Sequence, residues 1–188
     1  MRKLIYSMMT SLDGFIETTD RQLDWVIIDE ELHSFANDQA RDEGAFLYGR
    51  RLYEVMAAHW PTADSNPEAA AVEVDFARIW RDKPKVVFST TLPSVDWNSR
   101  LVRDDVIGEV SRLKEEPGGE LSVGGAGLAA GLLRAGLVDE IRPIIHPVVL
   151  GSGTRFLPPL QERMEMRLLE TRRFRSGVLY LRYEVSGR

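Results

Sequence analysis

Residues 119–133 pass from a short apolar strand at 121–123, through Gly124, Gly125 and Gly127, straight into an Ala- and Leu-rich helix. The same succession occurs earlier: Ala45-Phe46-Leu47-Tyr48 reads as a buried strand, Gly49-Arg50-Arg51 follows, and a helix is predicted over 52–59. Strands that alternate with helices in this way build crossover connections and a mostly parallel sheet.

The remaining elements fit the alternation. Residues 4–9 predict a first strand ending at the Asp13-Gly14 turn, with a polar segment from there to Trp25. Asp29 is placed to cap a helix whose Leu32, Phe35, Ala36 and Ala40 share a face. Pro67 predicts the first turn of a helix carrying Val72, Phe76, Ile79 and Trp80, which ends before Lys83-Pro84. Residues 85–89 form another strand, and Asp104 or Asp105 starts a helix with Val106, Ile107, Val110 and Leu113 on one side. Gly136 stops the glycine-rich helix. Residues 139–151 are extended, with prolines expected at edge positions, and 166–174 with 178–185 form a hairpin about Arg175-Ser176-Gly177. The expectation is an α/β three-layer sandwich: a mostly parallel sheet with a C-terminal antiparallel hairpin, all within one domain spanning residues 1–188.

Composition narrows the chemistry. The 188 residues are 44% hydrophobic and carry a formal net charge of -5, which supports one sizeable core and argues against a nucleic-acid partner. The absence of cysteine excludes disulfides, thiolate nucleophiles and iron–sulfur clusters. His33, His59 and His146 lie far apart without metal-ligand spacing, so no metal site is expected and structural or surface roles are assigned to them. The basic start has too short an apolar run for a secretory signal, and no 18 apolar residues are contiguous. No membrane partner and a cytoplasmic location are expected.

In open α/β sheets ligands sit at the carboxyl ends of strands. Three such ends carry suggestive residues: Gly49, Arg50 and Arg51; Ser89, Thr90 and Thr91; and Gly124, Gly125, Ala126, Gly127 and Leu128. Glycines followed by a helix N-terminus suit a pyrophosphate, and arginines with hydroxyls suit a further phosphate. Each feature has a plainer reading: a close-packed turn for the glycines, a solvated helix start for the arginines, an ordinary loop for the hydroxyls. Gly125-x-Gly127-x-x-Ala130 formally fits a dinucleotide fingerprint, but no acidic residue closes the next strand, where Ile145-His146-Pro147 stand, so that variant is rejected.

Five segments in this order resemble the dihydrofolate reductase-like superfamily, most closely the reductase domain of the bacterial bifunctional deaminase-reductase of riboflavin biosynthesis and its stand-alone relatives. They are Ser11-Leu12-Asp13-Gly14-Phe15-Ile16, Leu47-Tyr48-Gly49-Arg50-Arg51-Leu52-Tyr53, residues 85–91, residues 121–127, and residues 139–153 from Asp139-Glu140-Ile141 to Gly151-Ser152-Gly153. The resemblance implies an NADPH-dependent reductase of a pyrimidine- or pteridine-like small molecule. It implies that Gly49, Arg50, Arg51, Ser89, Thr90 and Thr91 lie around the adenosine 2′-phosphate, and that residues 124–128 hold the pyrophosphate. The region beside nicotinamide and substrate matches the end of the first strand and residues 11–16.

Asp13 is the leading catalytic and substrate contact on this reading, with an Asp-Gly turn without chemistry as the alternative. Trp25 is a further substrate candidate. Arg155 is the candidate cation for a substrate phosphate, or else an exposed strand-end arginine. Glu30 or Glu31 matches the acidic helix residue of dihydrofolate reductases, or is a charge favoured by the helix dipole. The zinc motif of a deaminase is missing from this sequence, so a riboflavin-pathway reaction would be 5-amino-6-(5-phosphoribosylamino)uracil reduction alone. The alternatives are a nucleotide-binding module without catalysis and reduction of dihydrofolate; a homodimer is expected from the resemblance.

Overall fold

The computed structural model describes residues 1–186. Its sheet has eight strands, and β1 (Leu4–Ser11) lies near the middle, parallel to β6 (Glu120–Gly124) on one side and β7 (Glu140–His146) on the other. Beyond β6 come β3 (Glu43–Gly49), β4 (Lys85–Phe88) and β5 (Ser99–Val102), all parallel. Beyond β7, β10 (Leu179–Val185) and β9 (Met166–Arg173) complete the sheet antiparallel. The order β5-β4-β3-β6-β1-β7-β10-β9 is the mixed α/β sheet that the alternation and the closing hairpin predict. A separate pair, β2 (Phe15–Glu17) with β8 (Thr154–Arg155), lies in segments expected to be loop and strand end.

Two helical layers follow from the alternation of side chains along the strands. Leu4, Tyr6, Ala45, Leu47, Leu121 and Val123 face α4 (Val106–Glu115) and α5 (Ala126–Arg134) in the main core. On the opposite face Phe46, Tyr48 and Val87 meet α1 (Glu30–Asp42), α2 (Arg50–His59) and α3 (Ala71–Asp82). A third cluster joins Leu32 and Phe35 of α1 to Ile144 and Tyr180. Asp29 caps α1, its carboxylate accepting from the Leu32 amide at 2.8 Å, and Asp105 caps α4 through the Gly108 amide at 3.0 Å.

Several expectations need correction. α3 starts at Ala71, beyond Pro67, where the Glu73 carboxylate accepts from the Ala70 amide at 2.9 Å. Ile107 is exposed rather than part of the α4 core face. β5 was not foreseen, since its burial is partial and it is entered through Trp97 and Asn98, both at positive φ. Pro143 is not at an edge: β7 lies between β1 and β10. It is tolerated because β7 and β10 pair on either side of it but not at it, beside an irregularity at Arg182/Tyr183.

Candidate active site

Parallel pairing brings three of the predicted turns to one edge. Tyr48 is in register with Gly124 across β3 and β6, and Gly49 with Phe88 across β3 and β4. The turns opening α2 and α5, and the loop after β4, therefore sit side by side at the carboxyl ends of adjacent strands. Gly125 has φ +98°, which side-chain-bearing residues rarely adopt, and a Cβ on Gly124 would meet Leu52 Cδ2 at 2.3 Å. The backbone therefore favours glycine at 125, and a side chain at 124 would have to displace the tip of Leu52.

The electrostatics of this edge favour an anion. Neither α2 nor α5 has a side-chain cap or an acidic residue in its first turn, which leaves the positive ends of both helices uncompensated. Arg50 is exposed; its guanidinium donates to the Thr91 hydroxyl at 2.9 Å and to Glu54 at 2.8 Å. Ser89 is half-buried, its oxygen accepting from the Leu92 amide at 3.1 Å and the Thr91 amide at 3.2 Å within the same loop, and Thr90 is exposed. Arg103, which sequence reasoning missed together with β5, donates to the Pro93 carbonyl at 3.2 Å and adds a second exposed cation. Arg51 is committed elsewhere: it forms a bidentate pair with Glu17, at 2.7 and 2.6 Å.

Beside this edge, between the sheet and α1 and α2, lies a cavity of about 470 Å³, within the size range of small-molecule pockets. Met8, Leu52 and Gly124 belong to its wall and also surround the glycine turn, where Met8 Sδ accepts from the Gly125 amide at 3.4 Å. Apolar residues dominate the wall, among them Met9, Phe35, Met56 and Ile144. Leu23, Ile28 and Val55 also belong to it and are about half exposed, which marks the mouth.

Polar groups gather away from the mouth: Ser7, Gln39, Glu43, Ser122, Arg142 and Tyr180. Strict alternation would point Glu43 with Ala45 toward the opposite layer, but β3 has an irregularity between Glu43 and Ala45, and Glu43 enters the cavity wall instead. Burial pushes its carboxyl up to about 7; the Ser122 hydroxyl and the charges of Arg142 and Lys83 oppose that rise, and Glu120 adds to it. Arg142 is satisfied by carboxylates: Nη2 meets Glu140 at 2.6 Å and Glu120 at 2.9 Å, while Nε meets Glu140 at 2.9 Å. Glu140, fully buried, also accepts from Lys3 and Arg182, each at 2.7 Å. Burial would raise its carboxyl, but these three cations bring it down to about 2. The Tyr180 hydroxyl is buried and has no hydrogen-bond partner.

Three further predicted residues lie outside the cavity wall. Asp13 accepts from the Ser11 hydroxyl at 2.7 Å and from the Leu150 and Gly151 amides at 3.1 and 2.7 Å, so it braces the exit of β1 against the 147–153 loop. Those bonds, that of Ser11 foremost, hold its carboxyl below the usual range. Trp25 packs edge-on against His146, and Arg155 is exposed with its guanidinium 5.2 Å from the Phe15 ring. Glu31 accepts from the Arg175 amide at 3.1 Å, facing the hairpin turn, and Glu30 is exposed. Burial lowers the pKa of His146, which is completely enclosed, and His33 packs against Trp60 and Phe76. Among the described residues no group of three or more His, Asp or Glu side chains is arranged to hold a metal, and no helix is long and apolar enough to cross a membrane.

A mixed sheet of this order, with glycine turns and a cavity at its carboxyl edge, defines a dihydrofolate reductase-like protein. A dihydrofolate reductase from Enterococcus faecalis in complex with NADP(H) superposes with a TM-score of 0.65 at 12% identity, covering 98% of this chain and 97% of that one. A protein from Shewanella sp. PV-4 whose suggested role is riboflavin biosynthesis superposes with a TM-score of 0.76 at 18% identity, covering 98% and 99%. The family is narrower than the fold: residues 2–180 match the model of the RibD C-terminal domain, and the chain belongs to that reductase-domain family. The uncharacterized protein YyaP of Bacillus subtilis (strain 168) is 33% identical over 187 residues, spanning 99% of this chain and 96% of that protein.

Proposed function

We propose that the protein is an NADPH-dependent reductase of a small molecule, working in the cytoplasm as a homodimer. The observation that carries this reading is the juxtaposition, at one sheet edge, of two uncapped helix starts, the exposed Arg50 and Arg103, and the wall that Leu52 and Gly124 contribute to a mostly apolar cavity. The residues fit the cofactor. Backbone amides of Ala126, Gly127 and Leu128 suit the pyrophosphate, and Arg50 with Thr90, Thr91 and Arg103 suits the 2′-phosphate. The NADP(H) complex of the Enterococcus faecalis dihydrofolate reductase supports the choice of coenzyme.

When bound, NADPH supplies the hydride, which passes to an electrophilic carbon of a pyrimidine- or pteridine-like substrate while a proton goes to the attached nitrogen or oxygen. The chain's own part is to orient that carbon and to exclude water, for which the apolar wall formed by Met8, Met9, Phe35 and Leu52 is suited. Asp13 stabilises the loop beside this region instead of acting on the substrate. For the dimer, the exposed Met166, Leu168 and Leu169 of the edge strand β9 form the surface we assign to the shared contact.

NADPH fluorescence titration followed by absorbance at the reduced-nicotinamide band tests this reading. Saturable binding, with oxidation in the presence of 5-amino-6-(5-phosphoribosylamino)uracil, its dephosphorylated form or dihydrofolate, is expected. Binding without turnover of any of them or of neutral carbonyl and imine compounds points to a nucleotide-binding module, and methotrexate-sensitive turnover to dihydrofolate reduction. No binding of NADPH overturns the proposal.

A further inference from the structure

The cavity wall contains one cation, Arg142, and that cation is already neutralised. Its donors are divided between Glu140 and Glu120, and its remaining contact is a long one, 3.4 Å, to Gln39. The mouth offers no substitute: Leu23, Val26, Ile28, Val55 and Phe76 surround it. Arg155, the cation expected for a substrate phosphate, belongs to a different surface, over the Phe15 ring. A phosphate dianion taken into this space would lose its hydration and meet no free charge, which is strongly unfavourable.

Uncharged polar groups do have a use for a ligand. Ser122 and Gln39 are partly accessible in the wall, on β6 and α1, so they approach from the sheet and from the helix. Tyr180 contributes a buried hydroxyl without a partner, an arrangement that is costly unless something completes it. The irregularity in β3 places Glu43 among them.

We infer that the substrate of this cavity is uncharged and free of phosphate: a largely apolar molecule whose hydrogen-bonding group is received by Ser122, Gln39 and Tyr180 at the closed end. This rests on the reductase reading of the same site and narrows it, since it separates this chain's substrate from the phosphoribosylated intermediate of riboflavin synthesis. The apolar, half-exposed Leu23, Ile28 and Val55 then act as the selecting rim, admitting neutral molecules and turning away anions.

The test uses 1-naphthol and 1-naphthyl phosphate, which share a ring system and differ by the phosphate. Fluorescence titrations of the intact protein are run with each compound, in the presence of saturating NADP+ so that the helix starts are occupied. Saturable 1-naphthol binding is expected, with the phosphate ester weaker by roughly tenfold or more. Ser122→Val should weaken 1-naphthol by roughly threefold to tenfold, the loss of one hydrogen bond. Val55→Arg, at an exposed helix position, should narrow the gap between the two compounds by supplying the missing cation. Phosphate binding as tight as that of naphthol, absence of saturable naphthol binding, or insensitivity to both substitutions overturns the inference. A separate NADPH titration of the same preparation keeps the two readings apart: its failure removes the reductase assignment, whereas the effects of Ser122→Val and Val55→Arg, both in the cavity wall, still report on the cavity.

Discussion

The Arg50 guanidinium donates to the Thr91 hydroxyl at 2.9 Å, so the turn after β3 and the loop after β4 are joined by a side chain that is itself exposed. This contact holds a cation next to hydroxyls with room for an anion. Replacing Arg50 with alanine should weaken NADPH roughly 10- to 100-fold, the equivalent of one or two charge-assisted hydrogen bonds, and NADH only slightly. Paired titrations with the two coenzymes measure it. Equal losses would mean that Arg50 supports the turn without contacting the 2′-phosphate.

Gly125 stands where α5 begins, at φ +98°. A valine there is strained by roughly 1–3 kcal/mol and places branched methyl groups over the amides of the first turn. Loss of NADPH binding is expected in a protein that remains folded by circular dichroism. The neighbouring Gly127, around which a Cβ would find open space, gives the control: Gly127→Ala should keep the fold and perturb coenzyme binding far less. Undiminished NADPH affinity in the Gly125 variant would remove the glycine turn from the site.

Much of the architecture was legible because the parallel strands are buried on both faces and therefore read as apolar runs, as at Ala45-Phe46-Leu47-Tyr48 and residues 85–88. Caps were equally visible, since Asp29 and Asp105 carry their oxygen in the sequence. β5 was not: Ser99, Arg100, Leu101 and Val102 are partly exposed and show little pattern. The edge proposed for the coenzyme is legible in glycines and arginines that lie at strand ends, but the cavity beside it is not. Its residues come from β1, β2, β3, β6, β7, β10, α1, α2, α3 and the loop before α1, and the inward turn of Glu43 depends on a strand irregularity that composition does not announce. Nor does a sequence reveal that the Leu150 and Gly151 amides donate to the Asp13 carboxylate.

Glu140 gathers Lys3, Arg142 and Arg182 in the buried floor of the sheet. Removing the carboxylate with Glu140→Ala leaves the buried Arg142 with Glu120 alone of its two carboxylate partners, and a loss of about 3 kcal/mol is expected in urea denaturation. The group's pKa is depressed from 4.5 to about 2. Its contribution is therefore complete above pH 4.5 and falls away as the pH drops toward 2, because the unfolded chain takes up the proton first. The wild-type protein should lose stability through that window, and the variant should lose less. Parallel acid curves for the two proteins would remove Glu140 as the source.

Glu43 has the opposite sign. Its carboxyl titrates near 7 in the folded chain against 4.5 in the ordinary state, so between these values the folded protein binds more protons than the unfolded one, and stability declines as pH rises. The decline begins near pH 4.5 and is complete somewhat above 7; with 1.36 kcal/mol per unit it amounts to about 3 kcal/mol. Glutamine keeps the shape of the neutral acid and does not ionise. Glu43→Gln should accordingly match the wild type at pH 4.5 and exceed it by about 2–3 kcal/mol at pH 8.5. Arg142 and Lys83 work against this gain, since their positive charges favour the carboxylate, whereas Glu120 reinforces it. Denaturation midpoints for both proteins at the two pH values decide the matter. A difference that stays constant with pH would show that Glu43 is ionised throughout, and that Arg142 has charge to spare for it despite Glu140 and Glu120.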